Sequence, residues 1–161
     1  MTTARESRET ESMPRFNHVA MSVSSDLLDE RHRGDILKFY GEVFGWTEMP
    51  TMTLEGERLV LRCHSNEQFV YLVHADDEQP MRCPKGDHFG MSVATPRALD
   101  DIMDRALKYA ESDPRVEVSE RQTDDFKVLQ LHAVYIRYLL PMQIELQCYD
   151  WAEGFDAQSL G

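Results

Sequence analysis

Long apolar runs, basic clusters and paired cysteines are all missing from this chain of 161 residues. No apolar stretch approaches the roughly 20 residues that a helix needs to cross a bilayer, so no membrane-spanning helix is predicted. The opening segment MTTARESRETESMPR has no apolar core. Its polar, mixed-charge composition predicts a disordered leader over residues 1–14 rather than a secretory signal.

Cysteines and basic residues are both scarce. Cys63, Cys83 and Cys148 cannot all pair within one chain and lack zinc-finger spacing, which predicts reduced thiols and a cytoplasmic protein. Lysine and arginine total 17 against 29 aspartates and glutamates, which gives a formal net charge of −12. Without a basic stripe, binding to nucleic acid or to an anionic membrane surface is not expected.

One short pattern occurs twice. HVAMSVS at 18–24 and HFGMSVA at 88–94 both open with a histidine, and Met-Ser-Val recurs at the same offset. In each stretch, apolar residues alternate with the histidine and its small neighbours, which predicts a strand with one buried face. The repeat indicates a duplicated unit in which His18 and His88 occupy equivalent positions.

The order of elements after each histidine is repeated as well. After the first strand, apolar residues at helical spacing end at Gly45, and three short strands follow. After the second strand, Thr95 and Pro96 predict the N-cap and first residue of a helix. The strands that complete the second unit are predicted near 115–120, 126–137 and 142–148.

The repeat and the polar stretches between elements predict the domain organisation. The chain divides into a leader (1–14), a first βαβββ unit (15–76), a linker (77–86), a second βαβββ unit (87–150) and a C-terminal tail (151–161).

Glu145 is a carboxylate in the middle of the otherwise apolar strand IELQCYD. Because an unpaired charge is costly to bury, it needs a partner. His18, His88 and Glu145 each lie opposite the apolar side of their strand, and two imidazoles with one carboxylate can bind a divalent first-row metal. A structural alternative is an ion pair between Glu145 and an arginine such as Arg137 or Arg62.

With these features, the chain resembles the vicinal oxygen chelate superfamily of glyoxalases, bleomycin-resistance proteins, extradiol dioxygenases and related enzymes. The resemblance spans about residues 16–150 and rests on FNHVAMSVS, FYGEVFGW, HFGMSV and IELQCYD, of which FYGEVFGW is the most specific. It implies an α+β fold in which tandem βαβββ units form a curved mixed sheet around a metal-binding cavity. It also implies a homodimer, because the superfamily pairs such units across chains as well as within them.

The resemblance assigns ligand positions to the first and last strand of each unit. These positions fall on His18, Tyr71, His88 and Glu145. Tyr71 stands where glyoxalases usually have a carboxylate. The remaining set of two histidines and one glutamate is similar to the facial triad of iron-dependent extradiol dioxygenases. The expected cofactor is a divalent metal, namely Fe, Zn, Ni, Co or Mn.

Three residues are candidates for proton transfer. Tyr71 and Tyr135 are predicted to face the cavity, where a phenol can donate a proton. The spacing that precedes Glu145 resembles that of ring-cleaving dioxygenases, but residues 126–128 occupy the stretch in which those enzymes have a histidine. His132 is the nearest replacement on this strand.

Two functions follow from the resemblance. The first is a metal-dependent enzyme, either a lyase or isomerase or an extradiol-type dioxygenase, that chelates a small substrate through adjacent oxygens. The second is a non-catalytic protein that binds a small, antibiotic-like molecule, as bleomycin-resistance proteins do. The net charge of −12 suits a cationic ligand for such a binder.

Overall fold

The structure of the protein, a computed structural model, describes residues 14–76 and 79–157. The predicted leader up to residue 13, positions 77–78 of the predicted linker and residues 158–161 of the predicted tail lie outside the described residues. In chain order the elements are β1 (His18–Val23), a 3₁₀ turn (Ser25–Leu28), α1 (Glu30–Phe44), β2 (Thr47–Glu48), β3 (Arg58–Arg62), β4 (Phe69–His74), β5 (His88–Val93), α2 (Pro96–Ala110), β6 (Glu117–Val118), β7 (Gln122–Asp125), β8 (Leu129–Arg137) and β9 (Gln143–Trp151).

The strands form two mixed sheets with the same internal order. The first sheet has the order β1-β4-β3-β2, and the second has the order β5-β9-β8-β6, with β7 also paired to β8. In both sheets the first strand of the unit lies parallel to its last strand. The α+β class with two mixed sheets is therefore confirmed, and the matching strand order fits the predicted duplication.

The end of α1 and the start of α2 fall at residues that the sequence predicts. Thr95 accepts a hydrogen bond from the Ala98 amide at 3.1 Å and Pro96 is the first residue of α2, so the predicted N-cap is confirmed. Gly45 ends α1 with φ of 73°, a left-handed conformation that glycine adopts without steric cost.

The two units share one hydrophobic core, in which their helices pack against each other. The hydroxyl of Tyr40 on α1 donates a hydrogen bond of 2.8 Å to the carbonyl oxygen of Tyr138 in the second unit. The Arg115 guanidinium of the second unit lies 2.7 Å from the Asp35 carboxylate on α1 and 2.6 Å from Asp113. The buried Tyr40–Tyr138 bond and the partly exposed Arg115–Asp35 ion pair therefore both connect the two units.

The second unit differs from the prediction in an additional strand and in the start of β8. Strand β7 was not predicted, because all four of its residues are exposed and show no apolar alternation. The strand predicted over 126–137 begins only at Leu129, since residues before it form the β7–β8 turn. Lys127 adopts φ of 70° in that turn, and its amide donates to the Asp125 carboxylate at 2.8 Å.

Candidate metal and substrate site

The candidate site lies on the face of the second sheet that is turned away from the helices, here called the open face. Along β9, Ile144, Leu146 and Cys148 are buried in the core, so Glu145 and Gln147 lie on the opposite, open face. This alternation explains how an acidic residue occupies the middle of an apolar strand without entering the core.

His88 and Glu145 come together on this face. The Nε2 atom of His88 lies 3.2 Å from Oε2 of Glu145, whose side chain is 12% exposed. The Nδ1 atom of His88 lies 2.9 Å from the carbonyl oxygen of Gly86. Because a carbonyl can only accept, the Nδ1–H group is the donor and Nε2 is turned toward the carboxylate.

This geometry requires a positive species between the two side chains. With the proton on Nδ1, the lone pair of Nε2 would face a carboxylate oxygen, and two acceptors at this distance repel each other. Either a proton shared by the two side chains or a cation bound to both atoms resolves the conflict. A carbonyl that fixes the far nitrogen of a histidine is also the usual arrangement around a protein-bound metal.

Tyr135 holds the other oxygen of the same carboxylate. Its hydroxyl donates to Oε1 of Glu145 at 2.5 Å, and the two residues are direct neighbours in the β8–β9 register. The hydrogen bond to Glu145 raises the pKa of Tyr135 to about 12, because the phenolate would face a negative charge. Tyr135 is therefore a protonated donor that orients Glu145.

Glu145 does not form the alternative ion pair with Arg137 or Arg62. Glu145 contacts His88 and Tyr135, whereas Arg137 donates to the carbonyl oxygen of Pro141 at 3.0 Å. Arg62 lies on β3 of the other sheet. The carboxylate is thus partnered by an imidazole and a phenol rather than by a guanidinium.

His18 and Tyr71 lie on the corresponding face of the first sheet. His18 is exposed, stacks on Phe69 at 4.9 Å between ring centroids, and bonds to the Asn17 side chain through Nδ1 at 2.8 Å. Tyr71 pairs with Ala20 in the register of β1 and β4. Since Glu145 pairs with Gly90 in the same way, Tyr71 occupies the position of the first sheet that Glu145 occupies in the second.

The structure does not bring all three predicted metal ligands together. Across residues 14–76 and 79–157, no three histidine, cysteine, aspartate or glutamate side chains form a group that could hold a metal. His88 and Glu145 form a two-residue half-site on one sheet, and His18 is on the other sheet.

His132 lies away from this site. It has the same parity on β8 as Val134 and Ile136, which are buried in the core, so its side chain is on the face opposite Tyr135. Its Nδ1 atom bonds to the Thr123 hydroxyl at 2.8 Å, and its side chain is 7% exposed. The predicted catalytic position of His132 is therefore not supported by the geometry, because the sheet separates it from Glu145.

A cavity of about 470 Å³ lies between the two units. Its wall includes Phe16, His18 and Trp46 of the first unit and Phe89 and Gly90 of the second. It is bounded by β1 and β5, the strands that end each sheet. Aromatic rings from both units therefore line a space next to His18 and to the backbone opposite Glu145.

Sequence reasoning missed two residues beside Glu145. Gly90 lies opposite Glu145. A side chain at this position would contact Glu145 Oε2 and Gln147 Oε1, each 3.9 Å from an added Cβ, so the glycine leaves the space beside these two oxygens open. Gln147 follows Glu145 by two residues on the same face. The alternation of polar residues along β9 was the available signal, but it does not say which of them line a site.

No protein-family model and no curated protein matches this sequence. Solved structures do match it. A glyoxalase/bleomycin resistance protein from Albidiferax ferrireducens T118 superimposes with a TM-score of 0.57 at 17% identity, over 83% of this chain and 98% of the other. The chain has the vicinal oxygen chelate fold. The predicted resemblance is thereby confirmed at the level of the fold.

Two further structures with the vicinal oxygen chelate fold are similar over most of their length. The genomically encoded fosfomycin resistance protein FosX from Listeria monocytogenes has a TM-score of 0.56 at 12% identity, over 84% of this chain and 93% of the other. A lactoylglutathione lyase from Agrobacterium tumefaciens has a TM-score of 0.54 at 19% identity, over 85% and 95%. Neither helix of the described residues is long and apolar enough to cross a membrane.

Proposed function

We propose that the protein is a metal-dependent enzyme of the glyoxalase or dioxygenase type, acting on a small substrate chelated through adjacent oxygens. The observation that carries this proposal is the contact between His88 and Glu145. Nε2 and Oε2 face each other at 3.2 Å while the Gly86 carbonyl holds Nδ1. One imidazole nitrogen and one carboxylate oxygen at this separation suit a divalent first-row metal.

A third ligand, His18, would come from a second copy of the chain. Strands β1 and β5 each pair with one neighbouring strand only within the described sheets, so their outer edges are available for contact with another chain. On β1 this edge is interrupted at Ser22, whose carbonyl oxygen accepts from the Met81 amide at 2.9 Å. Phe89 and Met91 on β5 are only partly buried. A dimer that joins β1 of one copy to β5 of the other would cover these residues and bring His18 to the His88–Glu145 half-site.

In this proposal each side chain has a separate task. His18, His88 and Glu145 hold the metal, which when bound supplies a Lewis acid for the substrate oxygens. Tyr135 fixes the orientation of Glu145 through its 2.5 Å hydrogen bond. Tyr71, on the same face as His18, is the candidate for moving a proton to or from the substrate. Iron would favour dioxygenase chemistry, whereas Zn, Ni, Co or Mn would favour isomerase or lyase chemistry.

Metal content tests this proposal. Protein purified anaerobically without an affinity tag is analysed by mass spectrometry as wild type, His88→Ala, Glu145→Gln and His18→Ala, with His64→Ala as a matched control in a loop. We expect about one metal per chain in the wild type and the control, and its loss in the other three variants. Equal metal content in wild type and His88→Ala would end the proposal.

A second candidate function is non-catalytic binding of a small molecule. The observation that favours it is the 470 Å³ cavity between the units, whose walls carry several aromatic rings. A second proton on His88 would also satisfy the pair with Glu145 without any metal. The burial that raises the pKa of Cys63 to about 12 keeps this cavity-lining thiol protonated, so it would serve as wall rather than nucleophile.

Ligand binding by metal-free protein separates the two functions. A binding protein of the bleomycin-resistance type keeps its affinity after treatment with a chelator, whereas the proposed enzyme loses it. The three free thiols of the described chain fit a reducing compartment, so a cytoplasmic location is proposed for either function.

A further inference from the structure

The open face of the second sheet continues beyond Glu145 to a second cavity, which shares Ser92 and Val93 with the 470 Å³ cavity. Gln147, Tyr149 and Trp151 follow Glu145 along β9 on the same face, each two residues apart. A cavity of about 440 Å³ lies where Tyr149 and Trp151 end this row. Its remaining walls are Ser92, Val93, Ala94 and Ala157.

We propose that this cavity binds an aromatic ring of the substrate, while the His88–Glu145 half-site binds the opposite, oxygen-bearing end. The inference rests on the proposed function, which it deepens by naming the substrate class. That class is an elongated small molecule with two adjacent oxygens at one end and an uncharged aromatic ring at the other.

The distance between the two ends follows from strand geometry. A strand rises about 3.3 Å per residue, so Tyr149 lies roughly 13 Å along β9 from Glu145. Tyr149 leans back toward Glu145, since its hydroxyl donates to Oε1 of Gln147 at 3.0 Å. A ligand of a few linked atoms can therefore span from the carboxylate to the aromatic cavity.

The surface between the two ends is open and polar. Gly90 has no side chain to cover the space above Glu145 and Gln147, and Ser92 adds only a small hydroxyl beyond it. The Tyr149 hydroxyl donates to Oε1 of Gln147, so the carboxamide N–H groups of Gln147 can donate to other acceptors. They are suited to donate to an oxygen in the middle of a ligand.

The chemistry of the cavity walls selects the ring. Tyr149 is 44% exposed and Trp151 is partly exposed, which is unusual for large aromatic rings unless a partner covers them. None of the described residues lining this cavity is basic, so a carboxylate or phosphate at this end of the ligand would find no counter-charge. An uncharged ring that stacks on Trp151 or Tyr149 gains the most from this surface.

The test compares simple chelators with and without a ring. Acetohydroxamate offers two adjacent oxygens only, and phenylalkyl hydroxamates add a phenyl ring on linkers of increasing length. Binding is measured on wild-type protein that carries its metal, by competition and by quenching of tryptophan fluorescence. The chain contains two tryptophans, and Trp46 lines the 470 Å³ cavity, so quenching is measured in a Trp46→Phe background, where it reports on Trp151 alone.

We expect an optimal phenylalkyl hydroxamate to bind about tenfold more tightly than acetohydroxamate, because ring stacking and burial of the phenyl group add to chelation. Trp151→Leu and Tyr149→Leu should each reduce this advantage and together abolish it, while acetohydroxamate affinity stays unchanged. Phe126→Ala, which removes another exposed ring in the turn between β7 and β8, should leave the advantage intact. A phenyl group that brings no advantage, or an advantage that survives in the double variant, would overturn the inference.

Failure of the proposed function looks different. In that case no hydroxamate, including acetohydroxamate, binds the wild type. Phenylalkyl alcohols, which do not chelate a metal, then test whether the cavity at Tyr149 and Trp151 binds a ring independently of the half-site. Quenching of Trp151 that is lost in Tyr149→Leu supports the ring site, and absence of quenching overturns it.

Discussion

Tyr135 and Glu145 face each other across strands β8 and β9 and share a hydrogen bond of 2.5 Å. The bond leaves the second carboxylate oxygen of Glu145 directed at His88, 3.2 Å away. A carboxylate held at one oxygen has little freedom to rotate, so the other oxygen is kept in place for a metal or a proton. The neighbouring position on β8 therefore determines how the candidate ligand is presented.

This contact predicts an unusual titration of Tyr135. The hydrogen bond to the Glu145 carboxylate raises the pKa of Tyr135 from its ordinary value of 10.0 to about 12, because ionisation would place two negative charges side by side. The phenol is therefore protonated at neutral pH. Its stabilising contribution is complete below pH 10 and is lost as the pH rises from 10 through 12.

The measurement is tyrosinate absorbance against pH, with Tyr135→Phe subtracted to isolate this residue. In Glu145→Gln the pKa of Tyr135 should return toward 10. The control is Tyr149→Phe, since the Tyr149 hydroxyl donates to the Gln147 amide oxygen rather than to a carboxylate. This substitution should leave the titration of Tyr135 unchanged. Titration of Tyr135 near pH 10 in the wild type would contradict the hydrogen bond.

If His18 comes from the second copy of the chain, mixing two variants should restore part of the metal binding. His18→Ala and His88→Ala each lose both sites of a dimer if one site takes His18 from one copy and His88 from the other. When equal amounts are unfolded together and refolded, half of the dimers contain both variants, and each of these restores one of its two sites. We expect about one quarter of the wild-type metal content in the mixture.

The matched control refolds each variant alone, where no metal should return. A mixture that stays as empty as its components means that the three ligands belong to one chain or do not act together. Sedimentation equilibrium of the wild type supplies the independent readout, because this prediction needs a dimer in solution.

Acid should weaken the Asp113 cluster of the second unit, in which Arg115 also reaches Asp35 of the first unit. The Arg115 guanidinium and the Tyr138 hydroxyl, at 2.6 Å and 2.8 Å, hold the pKa of the Asp113 carboxyl well below its usual range. A folded-state pKa below the unfolded value of 3.8 means that the carboxylate stabilises the fold above about pH 4. This contribution is lost as the pH falls further and Asp113 is protonated.

Asp113→Asn should lower the free energy of unfolding by about 1–2 kcal/mol at neutral pH, since hydrogen bonds to charged groups are lost. The difference from wild type should shrink below pH 4, as measured by urea denaturation over an acidic series. Asp101→Asn removes an exposed pair with Arg97 and is the control, with little expected effect. A difference that stays constant down to the lowest pH would argue against the role of this carboxylate.

Tyr40 should couple the unfolding of the two units. Its hydroxyl is fully buried and is bonded to the Tyr138 carbonyl oxygen at 2.8 Å. Tyr40→Phe removes this bond while the carbonyl keeps the Leu140 amide as a partner, so the substitution should cost about 0.5–1.5 kcal/mol. Wild-type protein should unfold in one cooperative transition because both units share a core.

Urea denaturation followed by fluorescence and by circular dichroism checks this prediction, with coincident curves expected. Tyr149→Phe, which alters a solvent-exposed hydroxyl, should change stability by less than about 0.5 kcal/mol. Two separate transitions in the wild type would show that the units fold independently.

The sequence by itself determined the repeat, the elements and the faces of the strands that matter here. Alternation along HVAMSVS, HFGMSVA and IELQCYD depends only on the period of a strand, so His18, His88 and Glu145 could be assigned to faces without any structure. The helix caps at Thr95 and Gly45 depend only on local backbone geometry, so they too could be predicted from the sequence.

Only the tertiary structure decided which of these residues meet. His88 reaches Glu145 because β5 lies beside β9, and Tyr135 reaches it because β8 lies on the other side of β9. His132 was a candidate only as a substitute for a missing histidine, since its spacing from Tyr135 does not fit, and its position on β8 turns its side chain to the face opposite Glu145. Pairing between strands is a long-range property, and short-range patterns contain no information about it.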